Sequence, residues 1–399
     1  MSKINRHVLG DVASFIRGIT FRPDDVTQPF EKGTAVCMRT KNVQTDLDES
    51  DLISVPKSFV RRKEQFLTEG DMLVSSANSW NLVGKCSWVP KLDYEATAGG
   101  FISILRANRE KVDPRYLYHW FAAPQTQHEV RLCGRQTTNI SNLNYERCLK
   151  LPIPLPKLKE QERIAAILDK ADAIRRTRQQ QLNELQTFIE ATYFKMFGHP
   201  ELNAYGWDVM PFSEVCDSRL GKMLDAKQQT GTHPRFYLRN LNVQWCRLDL
   251  TELVKMDFDS GDRKEFRLEY GDVLICEGGA GVGQTAIWRD ELPECYFQKS
   301  LHRVRPRSGR AVPEYIQYLM WSLMQGSSLL NSISTATIPH LTGVRLKSVK
   351  IPVPPIDVQE KFQAIVLKHE ETRSRLETTN DIDEDLFSSL VQRAFKGEL

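Results

Sequence analysis

At 399 residues, 41% hydrophobic and 26% charged, the chain has room for two or three domains and the composition of an ordinary soluble globular protein. Its net charge of +3 is too small for a generally basic nucleic-acid binder; it fits DNA contact only with cations gathered on one face, or with DNA bound together with a partner. No apolar run reaches the ~18 residues of a spanning helix, no secretory h-region opens the chain, and the scattered cysteines form no CxxC pair. A cytoplasmic protein with reduced thiols, no membrane association and no structural zinc is therefore expected.

Residues 1–150 read as a mixed unit, with strands expected at 35–39, 72–76, 83–89 and 100–106 between polar or glycine-bearing turns. Gly70-Asp71 is a turn feeding a buried strand. Asp113-Pro114 announces a helix, with Asp113 as N-cap and Pro114 in the first turn. The stripe Tyr116, Leu117, Trp120 and Phe121 belongs to its core face. A polar loop over 135–142 follows, then the proline-spaced run Leu151-Pro152-Ile153-Pro154-Leu155-Pro156 and a long helical pattern from Gln161 to Met196.

The same order is then repeated. Leu238-Arg239-Asn240-Leu241-Asn242-Val243 mirrors Met38-Arg39-Thr40-Lys41-Asn42-Val43, and Gly271-Asp272 mirrors Gly70-Asp71. Val312-Pro313-Glu314-Tyr315 mirrors Asp113-Pro114-Arg115-Tyr116, and Ile351-Pro352-Val353-Pro354-Pro355 with Gln359-Glu360 mirrors the proline run with Gln161-Glu162. All offsets are about 200 residues, so one register holds over a whole domain and the chain contains an internal repeat. Landmark residues match between the copies while the polar loops differ, as expected of one scaffold reading two different things.

Each helical pattern spans about 36 residues, roughly 54 Å at 1.5 Å per residue, without Gly or Pro. Ile164, Ile167, Ala171, Ile174, Leu182, Leu185 and Ile189 form a coiled-coil-like seam in the first; Phe362, Ile365, Val366, Leu376, Ile382, Leu386 and Leu390 form one in the second. An approximate two-fold relation between the copies makes the helices antiparallel. The expected fold is α+β (mixed α/β), with globular domains over 1–156 and 199–356 separated by helices over 157–198 and 357–399. The polar middle of the first helix, Arg175, Arg176, Arg178 and Gln179 to Gln181, reads as a solvated face, with partner docking or spacer phosphates as the sharper account.

Enzyme motifs are incomplete. Gly278-Gly279-Ala280-Gly281-Val282-Gly283-Gln284-Thr285 approaches a P-loop, but Gln284 replaces the phosphate-binding lysine and a strand rather than a helix follows. A hairpin turn is the plainer account. No Asp/Asn-Pro-Pro-aromatic motif is present for base methylation, and no acidic group suits metal-dependent cleavage. Asp46, Asp48, Glu49 and Asp51 read as a solvated loop, and Asp257, Asp259, Asp262 and Glu265 as a charged surface turn.

Loop side chains suited to phosphates and base edges are more telling, because Arg and Lys pair with guanine and Asn and Gln with adenine. In the first copy these are Arg39, Lys41, Asn42, Ser75, Ser76, Asn78, Asn81, Lys85, Arg135, Gln136, Thr137, Thr138 and Asn139, with Trp80 placed to stack. In the second they are Arg239, Asn240, Asn242, Gln244, Gln284, Lys299, Thr335, Thr337 and His340.

The two proline runs with their Gln-Glu helix starts, and the ending Ala394-Phe395-Lys396-Gly397-Glu398-Leu399, resemble the specificity subunits of type I restriction–modification systems along the whole chain. Pro156-Lys157 replaces the double proline usual there, and Lys361-Phe362 stands where the first copy has Arg163-Ile164. The resemblance implies two target-recognition domains, each reading half of a bipartite, asymmetric DNA site, with the helices setting the gap. It implies a non-catalytic chain that docks two methyltransferase subunits, through Gln161, Glu162, Ile164, Gln359, Glu360 and Phe362, and works with motor/nuclease subunits. S-adenosylmethionine, ATP and magnesium would belong to those partners, and no cofactor or metal to this chain.

Overall fold

A computed structural model describes residues 6–136, 140–225, 229–326 and 340–399. It forms two compact units, Met1–Gln179 with Thr379–Leu399, and Gln180–Thr378. The division falls inside the two long helices, Leu158–Phe197 and Ile356–Lys396.

The units share one plan. In the first, an antiparallel sheet runs in the order Ala13–Arg17, Ile102–Ala107, Met72–Ser75, Cys86–Trp88. In the second the order is Cys216–Leu220, Leu301–Pro306, Val273–Cys276, Thr285–Ile287. Met72–Ser75 and Val273–Cys276 are buried along their whole length, which is why both read as short continuous apolar runs. Beside each lies a three-stranded sheet whose middle strand, Thr34–Met38 or Pro234–Leu238, pairs parallel with Ala96–Ala98 or Tyr296–Phe297.

The Gly-Asp turns anchor these sheets. Asp71 accepts the Thr68 amide and a two-point contact from Arg106, at 2.7 and 2.6 Å. Asp272 accepts the Glu269 amide and Arg305, at 2.6 and 3.1 Å. The fork geometry lets one buried carboxylate fix a turn and a neighbouring strand together.

The helix starts at Pro114 as expected, with Asp113 accepting the Tyr116 amide at 2.8 Å; its stripe Tyr116, Leu117, Trp120 and Phe121 is buried. Residues 135–142, expected as a loop, instead carry two strands. Gly134–Gln136 pairs with Ser141–Leu143, which also pairs with Ala77–Asn78. A polar hairpin lacks the apolar alternation that marks a strand in sequence. The acidic run at 257–265 is likewise not a surface turn: Asp257 is buried, and Asp259 and Asp262 form a capping box on helix Ser260–Phe266.

The proline runs are strands. Pro152–Pro154 pairs with Arg6–Val8, and Lys350–Val353 with Asp208–Pro211; two-stranded pairs tolerate proline because one edge needs no donor. Gln161 and Gln359, expected at a partner surface, are fully buried behind these runs. The Gln161 carbonyl accepts the Asp113 amide at 2.9 Å, and its NH2 donates to the Lys111 and Pro156 carbonyls at 3.3 and 2.8 Å. Gln359 accepts Val312 at 3.2 Å and donates to Arg310 and Pro354 at 3.1 and 2.7 Å. Tyr116 and Tyr315 add hydroxyl donors to Pro154 and Pro352 at 2.8 and 2.7 Å. Ile164 and Phe362, three residues beyond each glutamine, are buried in their own units and are corrected with them, whereas Glu162 and Glu360 are exposed.

Both units are closed by the start of one long helix and the end of the other. In the first, Ile164, Ala165 and Leu168 share a core with Val391 and Ala394, and the Phe395 ring lies 5.4 Å from Tyr116. Arg175 meets Glu384 at 3.1 Å and Arg178 meets Asp383 at 3.5 Å, so these segments run antiparallel. In the second, Ile189, Tyr193 and Phe197 pack with Phe362 and Val366, and Phe197 lies 4.9 Å from Tyr315.

Of the residues expected in the helical stripes, Ile164, Ile189, Phe362 and Val366 are buried, Leu182, Leu185, Leu376 and Leu390 half-buried, and Ile174, Ile382 and Leu386 exposed. The arginines read as a solvated face make an ion-pair network instead. Asp172 takes Arg175 at 2.7 Å and Arg176 at 2.6 Å, and Arg176 also reaches Asp46 in the loop that had been expected to be merely solvated. Nearby, Asp169 accepts Arg115 at 2.9 Å and His119 at 2.7 Å. Burial works to raise the Asp169 carboxyl, but those hydrogen bonds win and hold it down at about 2.

Two predictions follow from these joints. Gln161→Leu or Gln359→Leu strands backbone groups without water, at a cost of about 1–3 kcal/mol each, read as a lower midpoint in urea unfolding. Asp169 has a folded pKa below its ordinary 3.8, so its contribution is complete above that value and lost as pH falls toward 2. Melting temperatures should therefore drop more for the wild type than for Asp169→Asn between roughly pH 5 and pH 2.

Candidate nucleic-acid interface

The parallel strand pair of each unit sends two tips out at the same end. In the first unit these are the 3-10 turn Thr40–Asn42 and the β-turn over 99–102. In the second they are Asn240–Asn242 and the β-turn over 298–301. Parallel strands need a crossover, so both chains leave the sheet side by side in the same direction.

Asn42 and Asn242 build the first tip rather than presenting themselves on it. Both are buried, accepting the Arg39 or Arg239 amide at 2.7 or 2.9 Å. Asn42 donates to Asp48 and Asp51 carbonyls, and Asn242 to Asp249 and Glu252 carbonyls. Every amide hydrogen-bonding group is used, so direct base contact by either residue is ruled out as the structure stands. Arg39 donates to Asp51 at 3.0 Å, Arg239 to the Glu252 carbonyl at 3.2 Å, and Asn240 to the Gly278 carbonyl at 2.7 Å. These three are half-buried braces of the tip. Lys41 stays exposed, paired with Asp51.

The second tip is tied to a hairpin. Ser76 and Glu277 amides donate to the Phe101 and Ser300 carbonyls, both at 2.9 Å. The hairpins close alike: Gly84 donates to Ser75 at 2.8 Å and Gly283 to Cys276 at 2.9 Å, at φ +83° and +81°. A side chain would be strained at both glycines. The glycine-rich stretch before Thr285 is thus a hairpin loop between two strands, with no following helix to receive a phosphate. Cys276 below it is buried, which pushes its thiol up to about 12 and leaves it a poor nucleophile.

Ser75 and Ser76 line the inner side of the first hairpin and are buried, so their expected DNA contacts are corrected: Ser75 instead accepts the Asn78 amide at 3.2 Å. Trp80 is half-buried and Asn81 exposed within the loop, and Lys85 contacts Gln44, whose own amide donates to the Lys41 carbonyl at 2.8 Å. Lys41, Gln44 and Lys85 therefore form one continuous polar edge. Arg135 is exposed on the short sheet directly opposite Asn142. Gln136 lies on the same strand, and Thr137, Thr138 and Asn139 lie outside the described residues.

In the second unit Gln244 pairs with Arg247 and Gln284 is half-buried at the hairpin end. Lys299 is exposed on the β-turn, and His340 is exposed where it bridges Gly278. Thr335 and Thr337 lie outside the described residues. Lys41, Lys85, Arg135, Lys299 and His340, with the amides of Asn78 and Gln284, give each unit a polar edge suited to phosphates and base edges. Among the described residues no three His, Cys, Asp or Glu side chains gather to hold a metal ion, and no helix is long and apolar enough to cross a membrane.

Sequence reasoning passed over two tip residues, Phe101 and Leu241, both strongly exposed. The available signal was an apolar side chain inside an otherwise polar turn: Leu241 between Asn240 and Asn242, and Phe101 after Gly99-Gly100.

Comparison with known proteins finds relatives along nearly the whole chain. The chain is 22% identical over 413 residues to the type I restriction enzyme StySPI specificity subunit of Salmonella potsdam, spanning 97% of this chain and 87% of that one. It is 21% identical over 415 residues to the EcoKI specificity subunit of Escherichia coli K12, with the same coverage. Its fold matches the crystal structure of a type I restriction–modification S subunit from M. genitalium, with a TM-score of 0.60, 15% identity, and coverage of 99% and 97% of the two chains. It also matches a chain from a study of complex assembly and conformational transition in a type I R-M system, with a TM-score of 0.54, 18% identity, and coverage of 99% and 98%. The type I restriction modification DNA specificity domain matches twice, over residues 1–187 and 205–384, and the chain belongs to that family.

Proposed function

We propose that this chain is the non-catalytic DNA-specificity subunit of a type I restriction–modification complex, each unit reading one half of a bipartite, asymmetric target. One observation carries the reading: two copies of a scaffold, matched bond for bond at Gln161 and Gln359, Asp71 and Asp272, and Asn42 and Asn242, present different side chains from the same tips. Identical frames with different tips suit two different short sequences better than one repeated sequence or a single substrate.

The long helices are the spacer in this reading. A helix of 40 residues is about 60 Å long, enough to hold two reading heads on half-sites roughly one DNA turn, ~34 Å, apart. Two methyltransferase subunits dock on the exposed faces of the helices, where Glu162, Ile174, Glu360, Ile382 and Leu386 are open. S-adenosylmethionine is theirs, and ATP and magnesium belong to motor/nuclease subunits. Cytoplasmic DNA is the setting for this assembly.

Methylation sequencing of cells carrying the chain with its methyltransferase tests the reading. The expected result is one bipartite motif with a fixed gap; absence of any sequence-restricted methylation sinks it. Removing one matched turn from each helix, residues 179–182 and 376–379, should shorten the gap and leave both half-sites intact. An unchanged gap at full activity would show that the helices do not set the spacing.

A further inference from the structure

The two tips of each unit carry one apolar and one cationic side chain, and the assignment is exchanged between the copies. In the first unit the 3-10 turn offers Lys41 and the β-turn offers Phe101; in the second the 3-10 turn offers Leu241 and the β-turn offers Lys299. Phe101 is 66% exposed and Leu241 71%. Exposed apolar residues occur elsewhere, Leu202 and Val344 among them, and a single one has no special meaning. These two differ in being held on rigid, matched frames.

That frame is the same in detail. Ile102 and Leu301 amides close the β-turns onto Gly99 and Gln298, both at 2.9 Å. Gly18 and Gly221 amides reach Ile102 and Leu301 carbonyls at 3.1 and 3.0 Å, and Gly99 and Gln298 amides reach Met38 and Leu238 at 2.9 and 3.1 Å. A Cβ on Gly18 would lie 2.2 Å from the Gly99 carbonyl, and one on Gly221 would lie 2.3 Å from that of Gln298, so the close approach requires glycine in both copies. Bracing of this kind lets an apolar side chain remain in water without folding back. The fold gains nothing from keeping Phe101 or Leu241 there.

We infer that Phe101 and Leu241 are specificity-determining contacts to bases of duplex DNA, one in each half-site, while Lys41 and Lys299 beside them neutralise phosphate. The inference rests on the proposed reading of the chain as a DNA-specificity subunit. Charge complementarity selects the occupant: each apolar tip has an exposed ammonium on the adjoining tip, Lys299 in the second unit and, in the first, Lys41, whose surface pairing with Asp51 a phosphate would replace. An apolar side chain can meet a thymine methyl or an opened base step but gains nothing from phosphate, so its removal changes which sequence is preferred. Removing a phosphate-binding lysine weakens all sequences alike and lowers the salt dependence by about one ion.

The test is selection of duplexes from a random pool by the full chain assembled with methyltransferase subunits, comparing wild type with Phe101→Ala, Leu241→Ala, Lys41→Ala and Lys299→Ala. Wild type should enrich a bipartite motif. Phe101→Ala should relax one or two base pairs of one half-site, with roughly tenfold weaker binding to the wild-type motif and an unchanged salt slope; Leu241→Ala should do so in the other half-site. The lysine variants should keep the motif and show a salt slope lower by about one ion. All four residues are exposed, so melting temperatures should match the wild type. If the wild type enriches a motif that Phe101→Ala and Leu241→Ala recover unchanged and bind within about twofold, the inference fails and the function stands. If the wild type enriches no motif, the functional reading itself fails and the inference with it.

Discussion

A primary amide has an acceptor oxygen and two donor hydrogens, and at Gln161 and Gln359 all are spent on the backbone of two segments, the loop before a domain helix and the end of a proline run. Each glutamine joins the entry of a domain helix, the loop before it and the end of a proline strand to the first turns of a long helix. Without that joint the proline strand would be a swivel, since an extended segment followed by a helix has no intrinsic fixed angle. With it, the direction of the long helix is set by the domain it leaves. Everything that depends on helix direction, including the closing of each core by Val391 and Ala394 or by Tyr193 and Phe197, depends on this dry polar contact.

Much of this was legible in the sequence. The repeat, the order of strands and helices, the Asp113 cap and the buried stripe at Tyr116 follow from turn chemistry and periodicity, which act locally. The glutamines were misplaced on a partner surface because a polar residue at a helix start looks exposed. The correcting signal lay three residues on: Ile164 and Phe362 share the helical face of Gln161 and Gln359, so the glutamines face inward too. Asn42 and Asn242 teach the same lesson. Polar residues that recur at matched positions in both copies build the frame, and those that differ are free to read.

What remained hidden depends on distance in the chain. The ion pairs of Arg175 with Glu384 and of Arg178 with Asp383 join residues that no local pattern connects. A polar hairpin such as Gly134–Gln136 with Ser141–Leu143 has no apolar alternation, because its stabilising partner is the strand Ala77–Asn78. The glycine-rich loop, by contrast, is legible as a hairpin turn, because the residues that cradle a phosphate before a helix supply positive φ when strands flank them.

The way each core is closed also bears on how the molecule is made. The first unit takes its last stretch from Thr379–Leu399, so its core is completed only after residues 180–378 have been synthesised. At about 5–20 residues per second that interval is on the order of 10–40 s. Throughout it, the surface later covered by Val391, Ala394 and Phe395 is exposed on the nascent chain. The second unit, Gln180–Thr378, is contiguous and can close as soon as it leaves the ribosome. The domain made first is thus finished last.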